Sequence, residues 1–260
     1  MKVFNGFDGL PRFANPVVTV GSYDGVHAGH RKLLGTINDI ARRTDGESVV
    51  ITFSPHPREV LGGGGGVKLL TTLEEKTLLL ERAGVDNLII APFTREFSEL
   101  SSYDFVRQYL IDKVGVRTLV VGYNHHFGHN KSGNFDYLER MGGQFGFDIY
   151  MVPRHDVDDD KVSSTIIRGL IGSGDVGGAA RYLGYRYFIM GHVDGRGGFI
   201  PGEQSKLLPP AGKYPVEAAA EGAQPQAGEL SVGQDGALHL LLSDVPASGA
   251  KVTVTFAGHS

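Results

Sequence analysis

Two histidines three residues apart, His27 and His30, sit in the run Gly21-Ser22-Tyr23-Asp24-Gly25-Val26-His27-Ala28-Gly29-His30. The run follows the apolar stretch Val17 to Val20. It precedes a segment in which Leu33, Leu34, Ile37, Ile40 and Ala41 keep one apolar face at helical spacing. It therefore reads as a strand-to-helix turn. A glycine-rich turn of that kind brings backbone N–H groups and a helix N-terminus against an anion without steric conflict, which makes Gly21, Ser22, Tyr23, Asp24 and Gly25 candidates to cradle a phosphate. Two imidazoles on the first helical turn point the same way and can donate to phosphoryl oxygens as negative charge develops. The chemistry favoured is phosphoryl or nucleotidyl transfer. A zinc site is the competing reading, with a third ligand drawn from His125, His126 or His129. Phosphate explains the glycines and the helix start better, and no protein-held metal is assigned.

A second polar group is Ser163-Ser164-Thr165-Ile166-Ile167-Arg168. Its hydroxyls lie just before a helical stretch whose Ile166, Ile167 and Leu170 would face a core, so capping is one role for them. Arg168 falls one turn after Ser164 and Thr165 and can reach the phosphate that those groups bind. Pro55-His56-Pro57 fixes φ on both sides of a histidine, which suits a rigid turn or one wall of a pocket. Asp156, Asp158, Asp159 and Asp160 form an acidic cluster that reads as a solvated loop rather than a magnesium site.

These residues need a frame to hold them. Val17 to Val20, Val49 to Phe53, Leu88 to Ile90, Leu119 to Val121 and Ile149 to Val152 are predicted strands, separated by helix-period stretches. That alternation gives an α/β fold with a parallel sheet. A helix is predicted from about Gly29 to Arg42. Thr72 and Glu75 form a capping box ahead of the next helix, and Ser102 precedes a third. The composition shifts near Tyr185, so residues 1–184 are read as one domain and 185–260 as a small β domain. Its predicted strands are Tyr187 to Val193, Tyr214 to Ala218, Ala237 to Leu242 and Val252 to Phe256. The five-glycine run Gly62 to Gly66 and the Gly222 to Gly228 stretch read as loops.

The 260 residues carry a net charge of -4, without the basic footprint of a nucleic-acid or membrane-surface binder, so small-molecule partners are expected. No apolar run of roughly 18 residues and no secretory leader pattern appears, which points to a cytoplasmic protein. The absence of cysteine excludes disulfides and thiolate chemistry.

The run Thr19 to His30 resembles the His-x-Gly-His element of the nucleotidyltransferase superfamily. In detail it is similar to the FAD synthetase module of bacterial bifunctional riboflavin kinase/FAD synthetases. Four further segments agree, in the family's order: Thr52-Phe53-Ser54-Pro55-His56-Pro57, Leu70-Thr71-Thr72-Leu73-Glu74-Glu75-Lys76, Val121-Gly122-Tyr123-Asn124-His125-His126-Phe127-Gly128 and Ser163 to Arg168. The resemblance spans roughly residues 15 to 190. It implies a Rossmann-like domain that joins AMP from ATP to FMN, with Mg2+ carried largely by the triphosphate; the alternatives are a nucleotidyltransferase of the same superfamily acting on another phosphorylated acceptor and a non-catalytic flavin or nucleotide sensor. By the same resemblance His27, His30, Asn124, Ser164, Thr165 and Arg168 act on the reacting phosphates. Ser163 joins the Gly21 to Gly25 turn in binding nucleotide, and Phe53, Pro55, His56 and Phe127 line the flavin side.

The second module departs from the family. A riboflavin kinase barrel carries Gly-x-Pro-Thr-Ala-Asn and a later glutamate base, whereas this chain reads Gly195-Arg196-Gly197-Gly198-Phe199-Ile200-Pro201-Gly202-Glu203-Gln204. Thr-Ala-Asn is missing, no acidic base follows in a recognisable setting, and the module is short. The expectation is a barrel without kinase activity, with a separate riboflavin kinase supplying FMN.

Overall fold

A computed structural model of the chain describes residues 1–62, 66–123, 127–128, 133–153, 156–157, 160–194 and 196–257. Compactness divides the chain into two units. The first comprises Met1–Tyr23, Gly29–Val67 and Thr77–His155, and the second Asp24–Ala28, Lys68–Lys76 and Asp156–Ser260.

The first unit is built on six strands: β1 (Lys2–Asn5), β2 (Val17–Val20), β3 (Ser48–Ser54), β4 (Asn87–Pro92), β5 (Thr118–Gly122) and β6 (Asp148–Val152). They form one sheet in the order β1-β4-β3-β2-β5-β6, with every pair parallel. The central strands are apolar on both faces, with Val17, Val18, Val49, Val50, Ile51, Leu88 and Ile89 fully buried, so helices must cover the sheet on both sides. The helices between these strands are α1 (Ala28–Arg43), α2 (Pro57–Leu61), α3 (Leu73–Arg82), α4 (Arg95–Ser98), α5 (Ser102–Asp104), which runs on into a π-helix Phe105–Val114, and α6 (Phe135–Phe145). All five predicted strands lie in β2 to β6. The edge strand β1 was not predicted, because four residues beside the chain start carry too little pattern.

The capping box ahead of α3 forms as predicted: Thr72 N–H donates to Glu75 Oε2 at 2.9 Å, and Glu75 N–H to Thr72 Oγ1 at 3.1 Å. Ser101, not Ser102, caps α5, accepting from Asp104 N–H. After β4 the chain crosses back to lay β5 on the other side of β2. This makes the carboxyl end of β2 a topological switch point, where open α/β sheets hold their ligands.

The second unit contains a short hairpin, β7 (Asp156–Val157) with β8 (Asp160–Lys161), the helices α7 (Ser164–Gly172) and α8 (Val176–Leu183), and a closed antiparallel barrel. The barrel strands are β9 (Phe188–Val193), β10 (Gly198–Pro201), β11 (Gly212–Ala220), β12 (Gln226–Val232), β13 (Leu238–Leu242) and β14 (Lys251–Phe256), closed in the order β10-β13-β12-β11-β14-β9. Alternate residues point inward: Val252, Val254 and Phe256 from β14 meet Leu238 and Leu240 from β13 and Leu230 and Val232 from β12. Ile167, Ile171, Val176, Ala179 and Leu183 belong to the same buried cluster, which is why α7 and α8 count with the barrel although the composition shift comes only at Tyr185.

Two sequence readings are corrected here. Gln226 to Gly228, expected in a loop, begins β12, where a side chain on Gly228 would collide with Leu242. Asp156 and Asp160, expected in a solvated loop, are in a hairpin; Asp158, Asp159 and residues 63–65 of the glycine run lie outside the described residues.

Candidate active site

The turn between β2 and α1 is backbone-strained. Tyr23 has φ +48°, Gly25 +85° and Val26 +35°, and for a β-branched valine a positive φ is an outlier that costs of order 1–3 kcal/mol unless its surroundings impose it. Glycine is required at position 25 on two counts: its φ, and a Cβ there would lie 2.7 Å from Leu70 Cδ1. Gly25 N–H donates to Thr71 Oγ1 at 3.0 Å, and the Tyr185 hydroxyl donates to Gly25 O at 2.6 Å. Thr71 N–H donates to Asp24 Oδ1 at 3.1 Å, and the Ser164 hydroxyl to Asp24 O at 2.9 Å. Arg168 Nη2 donates to the other Asp24 carboxylate oxygen, while its Nε donates to Lys68 O at 3.1 Å. The second unit therefore brings together three of the segments singled out in the sequence: Asp24 to Ala28, Leu70 to Lys76 and Ser163 to Arg168.

Individual site residues take distinct places. Ser163 is the N-cap of α7, accepting from Ile166 N–H at 3.4 Å, so here the capping role holds. Thr165 is exposed and His27 is buried. Arg168 and Asp24 are paired with each other, their side chains 17% and 3% exposed. Tyr23 is buried, shares a hydrogen bond of 2.8 Å with Thr19, and meets the His30 ring edge-on at 5.1 Å between centroids. Burial pushes its phenol well above the usual tyrosine range. Asn124, His125, His126 and His129 lie outside the described residues. Among the described residues no group of three His, Cys, Asp or Glu is placed to hold a metal ion.

The first unit has a cavity of about 350 Å³ at the carboxyl ends of β2, β3 and β4. Val20, Gly21 and Ser22 form one side, and Phe53, Phe93, Phe97, Phe105 and Phe127 supply the aromatic lining. Neighbouring rings pack edge-on or tilted: Phe53 with Phe93 at 5.4 Å, Phe93 with Phe97 at 5.8 Å and Phe105 with Phe127 at 5.9 Å. A cavity of this size, mostly apolar with a few backbone polar groups at one side, suits a flat aromatic ligand with an anionic tail. Of the predicted pocket residues Gly21, Ser22, Phe53 and Phe127 line it. Pro55 is exposed and His56 caps α2, its Nδ1 accepting from Arg58 N–H at 3.1 Å while Glu59 accepts from His56 N–H. The rigid-turn role is what the structure gives Pro55-His56-Pro57, and Pro57 reaches the cavity instead. Phe93, Phe97 and Phe105 were missed. The available signal was an i, i+4 phenylalanine pair directly after the β4 strand.

A parallel sheet with a strained glycine turn at its switch point, and an aromatic cavity at the strand carboxyl ends, defines a Rossmann-like nucleotide-binding domain, here joined to a unit built on an antiparallel barrel. Residues 11–166 match the family model for FAD synthetase, and the chain belongs to that family. It is 36% identical over 221 residues to the bifunctional riboflavin kinase/FMN adenylyltransferase of Bacillus subtilis, covering 80% of this chain and 69% of that protein. To the protein of the same description from Escherichia coli K12 it is 30% identical over 244 residues, covering 90% and 78%. The chain spans 62% of the length of the Buchnera proteins it matches. Its fold is shared with the solved macrolide-efflux protein from Streptococcus pneumoniae, at a TM-score of 0.84 over 98% of this chain and 90% of the other, with 24% identity. At that identity the likeness concerns the fold alone.

Proposed function

We propose that the chain is an FMN adenylyltransferase: the phosphate oxygen of FMN attacks the α-phosphorus of ATP, the bond to the β-phosphate oxygen breaks, and FAD and pyrophosphate leave. The observation that carries this reading is the phenylalanine-lined cavity beside Gly21 and Ser22 in a chain of the FAD synthetase family. The isoalloxazine ring fits the aromatic lining, and the ribityl phosphate extends toward Gly21 and Ser22. No covalent enzyme intermediate is required, so catalysis is positioning and charge stabilisation. His27 and His30 donate to the transferring phosphoryl oxygens, Asn124 bridges FMN phosphate and ATP, and Ser163, Ser164 and Thr165 orient the triphosphate. Arg168 draws off charge from the departing pyrophosphate, with Asp24 fixing its guanidinium. Mg2+ belongs to the triphosphate in this scheme. The only carboxylate in the turn, Asp24, is already engaged by Arg168 and Thr71, and no step is assigned to the ion.

Residues 1–184 form the functional adenylyltransferase module in this reading, working in the cytoplasm. Residues 185–260 lack riboflavin kinase activity, so FMN comes from a separate kinase. Support for that loss is the replacement of Thr-Ala-Asn by Gly202-Glu203-Gln204 and a barrel interior filled by Ile189, Phe199, Leu230, Leu240 and Val254. Incubation with ATP, magnesium and either FMN or riboflavin tests both parts. FAD from FMN alone is the expected result; product from riboflavin removes the kinase part, and no product from either removes the whole proposal.

A further inference from the structure

The barrel meets the glycine turn through one short stretch of chain in the second unit. Leu69 pairs with Lys206 in a parallel bridge, Leu69 N–H donating to Ser205 O at 2.7 Å and Leu207 N–H to Leu69 O at 2.8 Å. The Lys206 side chain is 1% exposed and donates to Leu70 O at 2.7 Å and to Glu75 Oε2 at 2.6 Å, with its ammonium 4.3 Å from the centroid of the Tyr187 ring. Glu75, fully buried, accepts from Thr72 N–H and, at 2.8 Å, from Met190 N–H of β9. Glu203 accepts from Leu73 N–H at 2.8 Å. Between these anchors lies Thr71, the residue that binds both Gly25 N–H and the Asp24 carboxylate.

A buried lysine–glutamate pair is a poor source of net stability, because desolvating two charges cancels most of their attraction and apolar residues of the same volume do as well. What such a pair does provide is direction, since its bonds are short and point to specific carbonyls and amides. Here those targets are the backbone of Leu70 and Thr72, on either side of Thr71. We propose that the barrel is a scaffold for the nucleotidyl-transfer turn, and that Lys206 is a positioning residue that sets Leu70 to Thr72 and, through Thr71, the Asp24 carboxylate and the Gly25 amide. This rests on the adenylyltransferase reading for its kinetic consequence only.

The test uses the full chain carrying Lys206→Met, and a second form carrying Glu75→Gln with Lys206→Met, which leaves no unpaired buried carboxylate if the single variant does not fold. Lys213→Met, which removes an exposed partner of Glu229 on the barrel, is the control. Two quantities are read well below the melting temperature: kcat for FAD formation, and hydrogen exchange at the Gly25 and Thr71 amides. A displaced turn lowers kcat about tenfold or more, since a misplacement of about 1 Å can cost about 100-fold, and accelerates exchange at both amides about tenfold while the control matches wild type. A role in stability alone lowers the melting temperature but leaves the folded variant within about twofold of the wild-type kcat, with Gly25 and Thr71 protection unchanged, and that result overturns the proposal. If the wild-type chain makes no FAD, the activity reading has failed, and the exchange measurement alone decides on the positioning.

Discussion

Arg168 and Asp24, 144 positions apart in the chain, form an ion pair in which the aspartate is almost wholly buried. The pair joins the second turn of α7 to the turn that follows β2, and Thr71 and Ser164 bind the same aspartate from two other sides. Neither residue is a free surface charge waiting for a ligand. Arg168 presents a guanidinium already fixed at one end, which is the condition under which an arginine stabilises developing charge without reorganising.

Asp24→Asn removes the charge that holds Arg168. Breaking a buried pair by deleting one partner costs about 3–5 kcal/mol, and the partial exposure of Arg168 places the expected loss near the lower end. Urea unfolding of the variant should show that loss, and its turnover should fall with Arg168→Met by a comparable factor. A double variant no worse than either single one confirms that the two act as a unit.

His30→Ala should lower kcat about 100-fold to 1,000-fold, the usual cost of one donor to a charged transition state, while leaving the circular dichroism spectrum unchanged. His30 lies in the first turn of α1, where its ring meets that of Tyr23 edge-on. A well-folded variant at wild-type rate removes His30 from the mechanism.

Phe97→Ala opens the aromatic cavity without altering the Gly21 to Gly25 turn. KM for FMN should rise about tenfold and KM for ATP stay near the wild-type value, because ring contacts with the flavin are lost and nothing at the triphosphate changes. Equal rises in both constants would place the flavin elsewhere.

The buried phenols of Tyr23 and Tyr187 are both pushed above the tyrosine value of 10.0, chiefly by burial. A folded-state value above the unfolded one gives stability that is complete below about pH 10 and is lost as pH rises toward the folded value. Stability should therefore fall as the pH rises from about 10 to about 11. Tyr23→Phe, which forfeits only the bond to Thr19, should show a smaller loss over that interval when the two proteins are unfolded chemically at both ends of it.

Much of the fold was legible because its signals are local. Buried parallel strands are continuous apolar runs, so β2 to β5 stood out, as did the edge strand β6 through its apolar residues Ile149 to Val152, the glycine turn and the Thr72–Glu75 capping box. β10 escaped because four residues containing Gly198 and Pro201 show no period, and β12 because it starts in a Gly, Ala, Gln and Pro stretch whose alternation begins only at Glu229. The segments Asp24 to Ala28, Leu70 to Lys76 and Ser163 to Arg168 were legible one by one, and their partnerships were not. Asp24 and Arg168 were both read as facing nucleotide, and only the tertiary fold shows that they bind each other. The burial and pairing of Lys206 were invisible for the same reason: a lysine before Leu207 and Leu208 looks like a loop residue until Leu69 and Glu75 are brought beside it.

The central claim is attack by FMN phosphate on the α-phosphorus of ATP, and isotope transfer tests it directly. The purified chain is incubated with magnesium, FMN and ATP labelled either at the α- or at the γ-phosphorus, and the flavins are separated. Label from the α-position in FAD, with γ-label recovered in pyrophosphate in equal amount, is the predicted result. No α-label in any flavin, or γ-label carried onto a flavin, would contradict it.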